Sequence, residues 1–309
     1  MALLRWLTEP VPAGAPTVVT IGNFDGVHRG HQHVVSRAGS LAEGRSVVAV
    51  TFEPHPMAVL RPEHAPQTLT GLDQRAQLLC EAGADAVVAL QFDTAMASWT
   101  PEEFVERILV DALNAAVVVV GANFRFGHRA AGDVAFLTAS GADHGFVVDG
   151  IELDGGPQVW SSTYVRTCLA AGDVEGAAEA LGRPYAVVGP VTRGDQRGRE
   201  LGYPTANVAL DGQAAPADGV YAGWLRREDS GETYPAAISV GTNPTFAGER
   251  DRRVEAYVID RDDLELYDVR VEVSFVARIR GMVAFDGIEP LLEAMADDVN
   301  RARALLSAI

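Results

Sequence analysis

Residues 17–41 read as a strand, a sharp turn and a helix, in that order. Thr17-Val18-Val19-Thr20-Ile21 is an uninterrupted apolar, β-branched run of the kind that makes a buried strand. Val34, Val35, Ala38 and Leu41 recur at helical spacing. Between them lies Gly22-Asn23-Phe24-Asp25-Gly26-Val27-His28-Arg29-Gly30-His31-Gln32. A strand-to-helix turn presents backbone N–H groups and the positive end of a helix dipole, a setting suited to phosphate. Gly26 and Gly30 permit close backbone approach. His28 and His31 are donors toward phosphate oxygens, more strongly when charged. Two other readings of the histidines stay open. With His33 they could form a metal cluster, although nothing nearby completes one. They could also be plain surface residues. The glycines follow neither the GxGxxG nor the Walker pattern. All 25 basic residues are arginine, so a P-loop lysine is excluded.

The 309 residues suggest about two domains, and 48 % hydrophobic content is enough for two ordinary cores. Further strand-like runs follow at Ser46–Phe52, Ala86–Phe92 and Ala116–Val120. Helical stretches separate them, at Leu72–Ala82 and Pro101–Leu113. The second carries Thr100 as N-cap, Pro101 at its first position and Glu103 closing a capping box. Continuous apolar strands alternating with helices predict a parallel sheet covered on both faces, with ligands at the strands' carboxyl ends.

The remaining motifs of the first half fall at such ends. Phe52-Glu53-Pro54-His55-Pro56 is either a stiff connector or a loop presenting His55. Gly121 to His128 mixes Asn123, Phe124, Arg125 and Phe126, which suits recognition of a flat ring or makes a buried aromatic turn. In Ser161-Ser162-Thr163-Tyr164-Val165-Arg166, the hydroxyls cap a helix, and Arg166 can point at phosphate from its first turns. Asp173–Leu181 reads as a further helix.

After Pro184 the pattern changes to alternating strands and glycine turns: 185–188, 219–225, 234–240, 254–259 and 269–279. One long helix, 288–306, follows. An antiparallel barrel with a terminal helix is predicted. The composition shift at 183–187 puts the domain border at 184/185, giving units of 1–184 and 185–309. The glycine-rich run 194–202, with Arg197 and Arg199, reads as a phosphate-covering flap or a long hairpin loop. Thr205 and Asn207 lie two apart, on one face of a strand, and are hard oxygen ligands suited to Mg²⁺. Glu255 in an alternating strand is, by itself, a solvated charge.

Together these strings resemble the bifunctional bacterial riboflavin kinase/FAD synthetases over roughly residues 17–306. GNFDGVHRGHQ looks like the HxGH-type signature of nucleotidylyltransferases. SSTYVR resembles the SSTxxR motif, with Trp160 where isoleucine is more usual. YPTAN resembles the flavokinase PTAN string, and Ser239–Phe246 its I-G-x-x-P-T-F segment. Tyr267-Asp268 and Ala284-Phe285 depart from the usual Tyr-Gly and Lys-Phe.

The resemblance implies a Rossmann-like nucleotidylyltransferase domain and a flavokinase barrel. The implied chemistry is phosphorylation of riboflavin to FMN and adenylylation of FMN to FAD, with ATP and Mg²⁺. It implies an adenylylation site of Gly22, Phe24, Asp25, Gly26, His28, His31, Asn123, Ser161, Ser162, Thr163 and Arg166. It implies a kinase site of Gly194, Arg197, Gly198, Arg199, Gly202, Pro204, Thr205 and Asn207, with the metal on the last two and Glu255 as general base. A single-activity adenylyltransferase and a non-enzymatic flavin-binding sensor are the alternatives.

A net charge of −17 argues against nucleic-acid partners. No apolar run approaches a membrane span, and Met1–Leu7 is too short and too weakly charged for a signal peptide. Two distant cysteines, Cys80 and Cys168, fit a reducing cytoplasm. A weak homo-oligomer is compatible with the sequence.

Overall fold

The computed structural model of the chain describes residues 4–152, 160–193, 202–242 and 252–308. They form two compact units, one of residues 1–66 and 72–160, the other of residues 67–71 and 161–309.

The first unit is a six-stranded sheet in the order β1-β4-β3-β2-β5-β6. Its strands are β1 Leu4–Trp6, β2 Thr17–Ile21, β3 Ser46–Glu53, β4 Ala86–Gln91, β5 Ala115–Gly121 and β6 Val147–Ile151. All pair in parallel except β1, which runs antiparallel along β4 at the edge. Its helices are α1 Arg29–Ser40, α2 Pro56–Leu60, α3 Leu72–Glu81, α4 Pro101–Phe104 and α5 Val134–His144. The predicted capping box at Thr100 and Glu103 is present, but α4 widens into a π-helical segment over Val105–Ala112. The inner strands β2, β3 and β4 are mostly apolar because both faces are covered. Val19, Val48, Val88 and Val118 pack with Phe104, Ile108 and Leu109 on one face. Val18, Val47, Val87 and Val119 pack with Val34, Val35, Ala38 and Leu79 on the other.

The chain leaves β2 for β3 and β4 on one side, then returns to place β5 on the other. The carboxyl end of β2 is therefore the topological switch point of the sheet, where a crevice opens in folds of this kind.

The second unit contains α6 Ser162–Ala171, α7 Val174–Leu181, β7 Tyr185–Thr192, β8 Thr205–Val208, β9 Gly219–Arg227, β10 Thr233–Thr242, β11 Arg252–Val258, β12 Arg270–Gly281 and α8 Ile288–Leu306. The strands close an antiparallel barrel in the order β10-β11-β8-β7-β12-β9. Helix α8 lays Ala302 and Leu306 on Val220, Ala222, Ala237 and Ile279. Helices α6 and α7 belong to this unit although they precede the composition shift at 184. So does a strap from the first half: Thr68 N–H donates to Gly212 O at 3.3 Å, and Ala214 N–H to Thr68 O at 2.8 Å. Asp268 adopts φ 63° where the resembled family carries glycine, a conformation aspartate tolerates better than most residues.

Candidate functional site

The turn after β2 is held in an unusual backbone conformation. Phe24 and Val27 both have positive φ, 49° and 42°, and both are buried, at 2 % and 1 % exposure. A β-branched residue there is an outlier that only surrounding structure can impose. The strained turn delivers His28 to the N-cap of α1, where its side chain does not cap the helix. The His28 and His31 rings stack with centroids 3.6 Å apart, and the Phe24 ring meets His31 edge-on at 5.2 Å. Gly30 leaves room for them, since a Cβ there would lie a tight 3.1 Å from the His28 ring.

Burial, the adjacent His28 and the Arg75 guanidinium together hold the His31 imidazole well below the ordinary histidine pKa. Two stacked rings cannot readily both be charged. The sequence suggested cationic donors; burial and the neighbouring positive groups instead favour the neutral form of His31. Its Nδ1 is enclosed, with no hydrogen-bond partner among the described residues. His33 is exposed. Among the described residues no group of three or more His, Cys, Asp or Glu is placed to hold a metal ion.

Asp25 is 1 % exposed and lies 3.9 Å from the guanidinium of Arg75 on α3, itself 2 % exposed. Sequence reasoning missed Arg75. Its signal was a charged residue inside the apolar stripe of Leu72, Ala76 and Leu79. Asn123 is exposed in the turn after β5, which pairs with β2. The aromatic part of that turn is core: Phe126 packs against Phe104, Phe124 and Phe136. His55 caps α2, its Nδ1 accepting from Met57 N–H at 3.1 Å.

Ser161, Ser162, Thr163 and Arg166 fall in the second unit. Ser161 is the N-cap of α6, accepting from Tyr164 N–H at 3.1 Å. Arg166 donates from Nε to Gln67 O at 2.8 Å, within the same unit.

On the barrel, β8 and β11 pair so that Asn207 stands opposite Glu255 and Thr205 opposite Tyr257. Alternate residues Ala206, Val208, Val254 and Ala256 are buried, so Thr205, Asn207, Glu255 and Tyr257 share the other face. Thr205 Oγ1 donates to Glu255 Oε2 at 3.3 Å, which leaves the hydroxyl lone pairs for another partner. Arg253 shares this face by alternation. A cavity of about 640 Å³ has Asn207, Thr192, Gln67, Arg193, Arg252 and Arg253 in its wall. Gly202 has φ 84°, and the adjoining Tyr203 ring packs on Tyr257 at 5.2 Å. Pro204 leads directly into β8. Gly194, Arg197, Gly198 and Arg199, and positions 243–246 of the Ser239–Phe246 segment, lie outside the described residues.

A phosphate-type turn at the switch point of a parallel sheet, followed by a closed barrel with a polar oxygen-rich strand face, defines a two-unit nucleotide-handling protein. The family models agree with this division: FAD synthetase matches residues 12–163 and riboflavin kinase residues 181–306. A bifunctional riboflavin kinase/FMN adenylyltransferase of Pseudomonas fluorescens is 39 % identical over 99 % of this chain and 98 % of the relative. One from Bacillus subtilis (strain 168) is 34 % identical over 93 % and 92 %. A solved structure described as a macrolide-efflux protein from Streptococcus pneumoniae shares 31 % identity and a TM-score of 0.84 over 95 % of each chain. The chain belongs to the bifunctional riboflavin kinase/FMN adenylyltransferase family. Among the described residues no helix is long and apolar enough to cross a membrane.

Proposed function

We propose that this chain phosphorylates riboflavin to FMN with ATP, and then adenylylates FMN to FAD with release of pyrophosphate. The observation that carries the reading is the register of β8 and β11, which sets Glu255 opposite Asn207 and within 3.3 Å of the Thr205 hydroxyl. The kinase step needs a neutral hydroxyl to attack the γ-phosphate, and Glu255 is the base that accepts its proton. Thr205 and Asn207 offer two hard oxygens on one face, which fits Mg²⁺. When bound, the ion neutralises charge on the nucleotide phosphates. The polar, arginine-bearing cavity beside Asn207 suits the anionic nucleotide.

The adenylylation step differs in kind. The FMN phosphate is already an anion and needs no base. What lowers the barrier is donor density at the α-phosphate and at departing pyrophosphate. His28, His31, the turn Gly22 to Gly26 and the α1 N-terminus serve this role; Ser161, Ser162, Thr163 and Arg166 are assigned to ATP binding by the family motif they resemble. Asn123 follows the strand next to β2 and serves the nucleotide. Gly194, Arg197, Gly198, Arg199 and Gly202 are assigned to binding the nucleotide or flavin of the kinase step. The kinase function is assigned to 185–309 and the adenylyltransferase function to 1–184. The protein works in the cytoplasm on small molecules, without nucleic acid, as a monomer or weak homo-oligomer.

The test is incubation with ATP, Mg²⁺ and riboflavin, followed by chromatography. FMN and FAD peaks are expected. FAD from supplied FMN without FMN from riboflavin would reduce the chain to an adenylyltransferase. Unchanged riboflavin that stays tightly bound would make it a flavin sensor.

A further inference from the structure

Beneath the strained turn lies a buried polar cluster in which the two half-reactions leave Arg75 and Thr51 unassigned. The Arg75 guanidinium comes to 3.9 Å from Asp25 Oδ1 and donates from Nη1 to Thr51 Oγ1 at 3.2 Å and Phe52 O at 3.4 Å. The Thr51 hydroxyl in turn donates to Asn23 O at 3.0 Å. Arg75, Thr51 and Asp25 are each at most 2 % exposed. One buried side chain therefore reaches the turn twice, at Asn23 through Thr51 and at Asp25 directly. These two positions bracket Phe24, the turn's first positive-φ residue, and Val27 lies two residues beyond Asp25. Burying a guanidinium is costly unless it is paired and hydrogen-bonded, and its helix neighbours Ala76 and Leu79 belong to the apolar core. A purely structural helix position would be better filled by leucine. The fork of an arginine suits several fixed acceptors at once.

We propose that Arg75 is a positioning residue for adenylylation: from within the core it fixes Asn23 and Asp25, and so holds the turn that sets the stacked His28 and His31 rings. The inference rests on the proposed FMN adenylylation at this turn. Arg75 touches no reacting atom; it acts through the turn, and through its positive charge on His31. The ionisable groups that act on His31 are His28, the N-cap of α1, and Arg75 on α3.

The test compares full-length Arg75→Met, Arg75→Lys and Thr51→Val with wild type. FAD formation from FMN and ATP is measured separately from FMN formation from riboflavin, since the second reaction reports on the other unit. Misplacing a reacting constellation by an ångström costs about 10²-fold. Arg75→Met is expected to lower kcat for FAD formation by about that factor with KM for ATP within about threefold. Arg75→Lys, which keeps the charge and loses the fork, should recover part of it. Thr51→Val removes the Thr51 hydroxyl's bonds to Arg75 and Asn23 and keeps both ion-pair partners; it is expected to fold, as circular dichroism would check, with a fall of about tenfold. FMN formation should stay within about twofold throughout. By NMR, the His31 titration midpoint should rise in Arg75→Met, because a nearby positive charge has gone.

Unchanged FAD formation in natively folded Arg75→Met and Thr51→Val overturns the inference. So does an equal fall in both activities, or an unmoved His31 midpoint. Failure of the underlying function reading is separate: wild-type protein would then make no FAD from supplied FMN.

Discussion

The two units place their polar groups by opposite means. In the first, the functional side chains stand on a turn forced into positive φ at Phe24 and Val27, and Phe24, Asp25, Val27 and His28 are buried. In the second, Thr205, Asn207 and Glu255 stand on two regular strands in unstrained pairing, where alternation alone aligns them. The chemistry accounts for the difference. On the proposed assignment, a general base must be ionised and reachable, and a partly exposed strand face meets that need at Glu255. Charge developing on phosphate is stabilised best by donors fixed in a low-dielectric site, which favours an enclosed turn held by the core.

The contrast breaks or sharpens first at Glu255. Glu255→Gln keeps size and reach but accepts no proton. Riboflavin phosphorylation should fall by about 10²–10⁴, while adenylylation of supplied FMN stays within about threefold. Parallel loss of both activities would mean that Glu255 is structural or that the two sites are coupled.

His31→Ala is the mirror experiment. Removing one preorganised donor typically costs about 10² or more, so FAD formation should fall by that factor while FMN formation continues. Purified protein should carry no stoichiometric zinc; about one zinc per chain, lost in His28→Ala, would restore the metal-cluster reading.

The third test asks how self-contained the barrel is. Helix α7 buries Val174, Ala177, Ala180 and Leu181 within the second unit. A fragment starting at Ser161 should be more stable to urea than one starting at Tyr185 by about 2–4 kcal/mol. Both should make FMN. A folded 185–309 fragment without kinase activity would sink the assignment of that chemistry to the barrel.

The smallest effect is in pH. His31 is neutral in the folded chain and titrates near 6.5 when unfolded. The unfolded chain therefore binds the extra proton, and stability falls as pH drops through about 6.5, by at most about 1.4 kcal/mol per pH unit. His31→Ala should flatten the slope of melting temperature between pH 7.5 and 5.5.

Much of this was legible in the sequence because it is local. Apolar runs gave the strands, Thr100 and Glu103 gave a capping box, and the 288–306 periodicity gave α8 with its bounds intact. Two-residue spacing put Thr205 and Asn207 on one face. Weak patterns were missed: β1 is three residues long, and β6 and α5 carry little periodic contrast.

What the sequence determined alone was the alternation of elements and the residue types at each turn, since both depend on neighbours within a few positions. Tertiary structure decided what depends on distant pairing. The β8–β11 register brought Glu255 to Thr205 across 50 residues. The packing of α3 carried Arg75 under Asp25, and burial held His31 neutral where its residue type suggested charge. Membership of α6, α7 and the 67–71 strap in the barrel unit likewise follows from packing. Desolvation and register are properties of the assembled core, so they have no local signature in the chain.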